Sequence, residues 1–275
     1  MKKILALLLA LWIPAAVLSG CAPQDDSAAS NKLNIVTTIF PAYDWVREIL
    51  GDETDRAEIT TLLDSGVDLH SYQPTVDDIV KISDCDLFLY VGGESDGWVD
   101  DALKNAQVLV AAISEALQES DPARKDIYAA NAAAYVEKLS ALDGEYRAAV
   151  DSGKYKTLLF GDRFPFRYLA DDYGLDYYAA FPGCSAETEA SFETVSFLAG
   201  KMDALGLPCV LTIESTQHKI AETIVQNTAQ KNQQILTMDS MQAVTANDAA
   251  SGASYLSIME KNLSVLKKAL GQEAE

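Results

Sequence analysis

Asp86-Leu87-Phe88-Leu89-Tyr90-Val91 runs straight into Gly92-Gly93. An unbroken apolar run of this length, closed by glycines, reads as a parallel strand buried on both faces. Parallel strands need crossover helices, and the preceding sequence supplies them. Leu33-Asn34-Ile35-Val36-Thr37-Thr38-Ile39 reads as a first strand. Pro41 opens a helix to Leu50, with Tyr43, Trp45, Val46 and Ile49 on its apolar face. Ala57 to Leu63 reads as a second strand. Thr75-x-x-Asp78 then has the form of a capping box, starting another helix. Strand, helix, strand, helix, strand is the pattern of a doubly wound α/β lobe.

Downstream the pattern changes and then returns. Ala106 to Leu117 reads as a helix. Asp121-Pro122 supplies an N-cap followed by proline at the first helical position. From there to about Val150, Tyr128, Ala132, Tyr135, Leu139, Leu142 and Tyr146 keep a spacing of three or four. One helix of that length is roughly 40 Å long at 1.5 Å per residue. It can cross from one lobe to another, or be two helices packed on one lobe. Strands at 157–160, 176–181, 209–213 and 235–238 then alternate with helices near 164–173, 189–205, 219–230 and 252–270. The fold class is therefore α/β: two doubly wound lobes joined by one long helix. The divisions are residues 32–120, the N-terminal lobe, 121–152, the linking helix, and 153–275, the C-terminal lobe.

The chain has 275 residues, 49% of them apolar, enough for a substantial core. Its 41 acidic residues against 21 Lys and Arg give a net charge of −20, which opposes binding to nucleic acid or anionic lipid. Lys2 and Lys3 precede a short apolar stretch, Ile4 to Leu11, and Leu18-Ser19-Gly20-Cys21 matches the lipobox of bacterial lipoproteins. That resemblance implies a signal peptide over 1–20, a lipid on Cys21, a polar leash over 21–31, and a location on the outer face of the cytoplasmic membrane. Cys85, Cys184 and Cys209 form no metal-finger spacing. Cys85 and Cys209 read as core residues, and the odd number of the three cysteines beyond Cys21 leaves at least one thiol free.

In a parallel α/β sheet, ligands bind beyond the carboxyl ends of the strands. Polar residues placed just after the apolar runs are His70, Asp162 with Arg163, Glu214 and Asp239, with Glu187 in the loop after the Phe181 strand. Imidazole and carboxylates together suit Zn²⁺ or Mn²⁺. Each residue also has a structural reading. Asp239 before Ser240 can cap a turn, Glu214 can be a solvated strand end, and Asp162 and Arg163 can pair with neighbouring charges. His218, one of only two histidines, reads as an exposed residue at a helix start. One His ligand without a HExxH-type pair gives little support for a catalytic zinc.

The chain resembles the ZnuA/TroA-like metal-binding lipoproteins of zinc and manganese ABC transporters. The resemblance rests on Ile35-Val36-Thr37-Thr38-Ile39-Phe40-Pro41 and on Gly66-x-x-x-His70-x-Tyr72-x-Pro74. It continues through Asp86 to Tyr90, Asp121-Pro122 with Tyr128, Asn131 and Tyr135, and Phe166-x-Tyr168 with Tyr173-Gly174. It ends with Asp239-Ser240 and Tyr255-Leu256-x-x-Met259-x-x-Asn262-Leu263. It implies a binding protein without enzymatic activity, a monomer, which captures Zn²⁺ or Mn²⁺ and delivers it to an ABC permease and its ATPase. His70 matches the family's first ligand and Asp239 its C-terminal-lobe carboxylate. The position of a third ligand falls on Arg163, which has no lone pair to give, so Asp162 is the neighbouring candidate. An Arg163 contact to Glu187 or Asp239 is expected. The family's segment carrying a second His ligand, before the helix near Leu103, is missing. That absence implies weaker binding, a harder ligand set favouring Mn²⁺, or a degenerate member acting as a surface interaction protein or adhesin.

Overall fold

The computed structural model describes residues 32–63, 72, 74–90, 102–182, 190–214 and 218–272, without the side chains of 102–105 and 182. The N-terminal sheet contains β1 (Leu33–Thr37), β2 (Ala57–Thr61) and β3 (Leu87–Leu89), all parallel, in the order β2-β1-β3. Helix α1 (Phe40–Leu50) connects β1 to β2, and α2 (Val76–Asp84) precedes β3. Pro41 lies in the first turn of α1, where its missing N–H costs nothing. The capping box of α2 is complete: the Asp78 amide donates to Thr75 Oγ1, and the Thr75 amide donates to the Asp78 carboxylate.

The run that reads as a doubly buried strand is a parallel strand, but only half-buried. Among the described residues it pairs with β1 alone and stands last in the sheet order. Tyr90, just beyond it, is 64% exposed and stacks on Phe88 at 5.1 Å. Helix α2 buries none of its residues, and its apolar side chains Val76, Ile79 and Val80 are exposed.

Helix α3 (Ala102–Ser120) leads through a short 3₁₀ turn at Pro122–Arg124 into α4 (Lys125–Ser152). Asp121 precedes that turn rather than capping α4 directly. Helix α4 is unbroken over 28 residues, about 42 Å at 1.5 Å per residue. Gly144 lies within it. Its buried stripe is Tyr128, Ala132, Tyr135, Leu139, Leu142, Tyr146, Ala149 and Val150. This stripe belongs to a core that runs from Ile35 of β1 to Leu270. A single helix therefore serves both lobes.

The C-terminal sheet has the order β5-β4-β6-β7, all parallel: β4 (Thr157–Phe164), β5 (Asp176–Pro182), β6 (Cys209–Ile213) and β7 (Gln234–Met238). Helix α5 (Arg167–Asp172) joins β4 to β5, α6 (Phe192–Leu205) precedes β6, and α7 (Lys219–Asn227) lies between β6 and β7. Gly206 ends α6 in the left-handed conformation at φ 63°. A short helix, α8 (Ala246–Ala250), precedes the final helix α9 (Tyr255–Ala269). Strand order reverses between β4 and β6, so the ligand crevice of this doubly wound sheet is expected at their carboxyl ends.

Helix α9 ties the lobes together. The buried Asp44 carboxylate of α1 accepts the Tyr255 amide at 2.8 Å, at the N-terminus of α9. The Tyr146 hydroxyl of α4 donates to the Met259 carbonyl of α9 at 2.7 Å. Burial raises the Asp44 carboxyl from 3.8 to about 6; Glu48 pushes the same way, against the Tyr255 amide and Arg47.

Candidate metal-binding site

The site builds outward from β7. Met238 is fully buried at the strand end, and Asp239 follows it. Asn262 of α9, only 1% exposed, grips the Asp239 backbone on both sides. Its Oδ1 accepts the Asp239 amide and its Nδ2 donates to the Asp239 carbonyl, both at 2.8 Å. Asp239 Oδ1 accepts the Met241 amide at 2.8 Å, while Oδ2 accepts no hydrogen bond from the described residues. Burial raises the Asp239 pKa, with the negative charge of Glu214 adding to the effect.

Glu214, directly after β6, reaches the same loop. Its Oε2 accepts the Ser240 amide at 2.6 Å. Its Oε1 accepts the Ser240 hydroxyl at 2.6 Å and the Gln242 amide at 3.1 Å. Within this loop Met241 takes φ 64°, a left-handed conformation unusual for a side chain of its size.

Asp162 and Arg163 do not follow β4, as the sequence suggests, but lie within it. The pairing with β5 slips between Phe160 and Arg163, then resumes with Arg163 opposite Phe181. Gly161 permits this geometry, because a Cβ there would stand 2.7 Å from Ala221 Cα of α7 and 2.9 Å from Val210 Cγ1. The Asp162 carboxylate bridges the β4–β6 gap: Oδ1 accepts the Arg163 amide at 2.8 Å and Oδ2 the Ile213 amide at 3.4 Å. Asp162, Glu214 and Asp239 therefore line up along the carboxyl edge of one sheet. Glu214 and Asp162 already serve backbone amides, and Asp239 keeps an oxygen available.

His70, Glu187 and Cys21 lie outside the described residues, as do 1–31 as a whole and the expected Arg163–Glu187 contact. Among the described residues, no three His, Cys, Asp or Glu side chains gather as a cation site. Asp239 Oδ2 remains an oxygen without a hydrogen-bond donor among the described residues. His218 is not the exposed residue that its position suggests. It is half-buried before α7, and its Nδ1 has no hydrogen-bond partner among the described residues. Asn262 and Asp44 escaped the sequence reading as functional residues. Asn262 carries a legible signal, a polar side chain on the buried stripe Tyr255, Ile258, Met259, Leu263 and Leu266.

The sequence family described as zinc-uptake complex component A, periplasmic, matches residues 35–108 and 102–269. The chain belongs to that family. A zinc-binding lipoprotein of Streptococcus pneumoniae, AdcA, is 29% identical over 322 aligned positions, covering 99% of this chain and 62% of its own length. The high-affinity zinc uptake system protein ZnuA of Bacillus subtilis is 25% identical, covering 87% of this chain and 88% of its own. The crystal structure of the Zn(II)-bound ZnuA-like domain of S. pneumoniae AdcA superposes with a TM-score of 0.71 at 26% identity, covering 88% of this chain and 100% of that domain. The chain thus spans less than two thirds of the AdcA relative. Covering 99% of 275 residues, it fills about 272 of the 322 aligned positions, so about fifty are occupied in AdcA alone. The family match comes in two stretches that overlap at residues 102–108. The fold of this family, two α/β lobes joined by a long helix, is the architecture described above. The family's description is that of an uptake component, not of an enzyme.

Proposed function

We propose that this chain is the extracytoplasmic zinc-capturing component of an ABC importer. In this reading, it is tethered through a lipid on Cys21 and a leash over 21–31, and acts as a monomer. It takes up the ion between its lobes and delivers it to a permease driven by an ATPase. The observation that carries this reading is Asp239. Its carboxylate sits at the carboxyl edge of the C-terminal sheet, its backbone is clamped by Asn262, and one oxygen is left without a described donor. Family membership supports zinc as the cargo, and His70 is the ligand assigned to the N-terminal lobe. Manganese is the alternative ion, favoured to the extent that oxygen donors replace the missing imidazole.

Titration calorimetry of metal-stripped protein with Zn²⁺ and Mn²⁺ tests this. Binding of one ion is expected, with zinc tighter. His70→Ala should weaken it far more than His218→Ala. Absence of heat and of thermal stabilisation with both ions would refute the proposal.

A second reading has a specific observation behind it. About fifty positions of the AdcA relative have no counterpart here, and Arg163 stands where a ligand is expected. A chain so altered can have kept the fold and lost tight metal binding, serving as a surface interaction protein or adhesin. The same titration separates the two readings.

A further inference from the structure

We infer that Glu214 is a positioning residue for Asp239, acting with Asn262, and is not itself a metal ligand. The inference rests on the metal-site reading above and extends it, because it assigns a role to the carboxylate that holds the loop of the proposed ligand.

Three observations carry it. First, Glu214 is already saturated from one side: three donors from two residues of the Asp239 loop converge on its two oxygens, two of them at 2.6 Å. To coordinate a cation in place of those donors, it would have to release the loop that carries Asp239. Second, the loop needs holding. Met241 sits at φ 64°, where a non-glycine side chain crowds its own backbone, and such a conformation persists only when its surroundings over-determine it. The flanking amides of Ser240 and Gln242 are the ones that Glu214 accepts. Third, the opposite side of the loop is fixed independently. Asn262 binds both the amide and the carbonyl of Asp239 from within the core. Glu214 reaches from β6 and Asn262 from α9, so Asp239 is held between two rigid elements.

The consequence is preorganisation. A carboxylate on a loose loop must lose backbone freedom when it captures an ion, and a clamped one has lost it on folding. Glu214 also adds a negative charge close to Asp239 without occupying a place on the metal. The described arrangement therefore separates two jobs that the sequence gives to one class of residue: Asp239 contacts the ion and Glu214 aims it.

The test uses the full chain, loaded with Zn²⁺ for affinity and with Co²⁺ for its d–d absorption spectrum, which reports ligand number and type. Affinities are taken by competition with a chelating dye, at a temperature where circular dichroism shows each variant folded. Glu214→Gln puts an amide NH₂ against the donors of the loop and should weaken binding at least tenfold, with the cobalt spectrum unchanged. Ser240→Ala, which removes only the hydroxyl bond, should weaken it a few-fold, again without spectral change, and serves if the first variant fails to fold. Asp239→Asn should weaken binding and alter the spectrum. If Glu214→Gln changes the spectrum as Asp239→Asn does, Glu214 is a ligand and the inference is wrong. Unchanged affinity in Glu214→Gln, or in Ser240→Ala where it stands alone, overturns it as well. If Asp239→Asn changes neither affinity nor spectrum, the metal-site reading fails instead.

Discussion

The substitution Asp44→Asn should make the protein more stable at neutral pH and flatten part of its pH profile. Asp44 is 3% exposed, at the junction of α1 and α9, and its pKa is raised from 3.8 to about 6. The folded state therefore holds this proton more tightly than the unfolded chain does. The stability that the raised pKa contributes is fully present below 3.8 and is lost as the pH climbs through about 6. At 1.36 kcal/mol per pH unit, the full loss is about 3 kcal/mol. The groups facing this carboxyl are Arg47 and Glu48 on α1, the Tyr135 hydroxyl on α4 and the Tyr255 backbone amide on α9. The carboxamide of the variant still offers an oxygen to the Tyr255 amide but never ionises. In metal-free protein, urea unfolding followed by Trp fluorescence should give nearly equal stabilities for the two proteins near pH 4. The variant's advantage should grow to about 2–3 kcal/mol by pH 7. A stability difference that does not change between pH 4 and pH 7 would refute the reasoning. So would a variant that is less stable at pH 7.

Three further outcomes follow from the packing. Tyr146→Phe removes the buried bond from α4 to the Met259 carbonyl, and should cost about 1–2 kcal/mol in urea unfolding without changing secondary structure. Gly161→Ala forces a methyl against Ala221 and Val210 at the β4–α7 contact. It should destabilise by about 1–3 kcal/mol, and a neutral result would show that this approach can relax. Substituting Val76, Ile79 and Val80 together by polar residues should leave the melting temperature nearly unchanged and lower the binding of a hydrophobic dye, because α2 buries none of its residues.

The sequence makes the alternation of strands and helices legible because each element carries its own period. The stripe from Tyr128 to Tyr146 marks α4 through residues that all reach one core. The extra burial read into Leu87–Leu89 fails for a reason outside the run itself. Burial of both faces needs a packed layer on each, and among the described residues α2, which leads into the strand, buries none of its side chains. The site is legible by position and not by role. Glu214 and Asp239 do follow the ends of β6 and β7, as their places after apolar runs suggest, whereas Asp162 lies inside β4 near its carboxyl end. Which oxygens remain available depends on the slip in β4, the left-handed Met241 and the reach of Asn262 from α9. None of these leaves a periodic mark in the sequence.

The central claim is that one ion bridges the two lobes, bound by His70 from one and Asp239 from the other. A crystal of the zinc-loaded protein, with anomalous diffraction recorded at the zinc edge, tests it most directly. One strong peak is expected at about 2.0–2.2 Å from a nitrogen of His70 and an oxygen of Asp239, with Glu214 still bound to Ser240 and Gln242. A peak on Glu214, or no peak in the cleft of a zinc-saturated crystal, would contradict it.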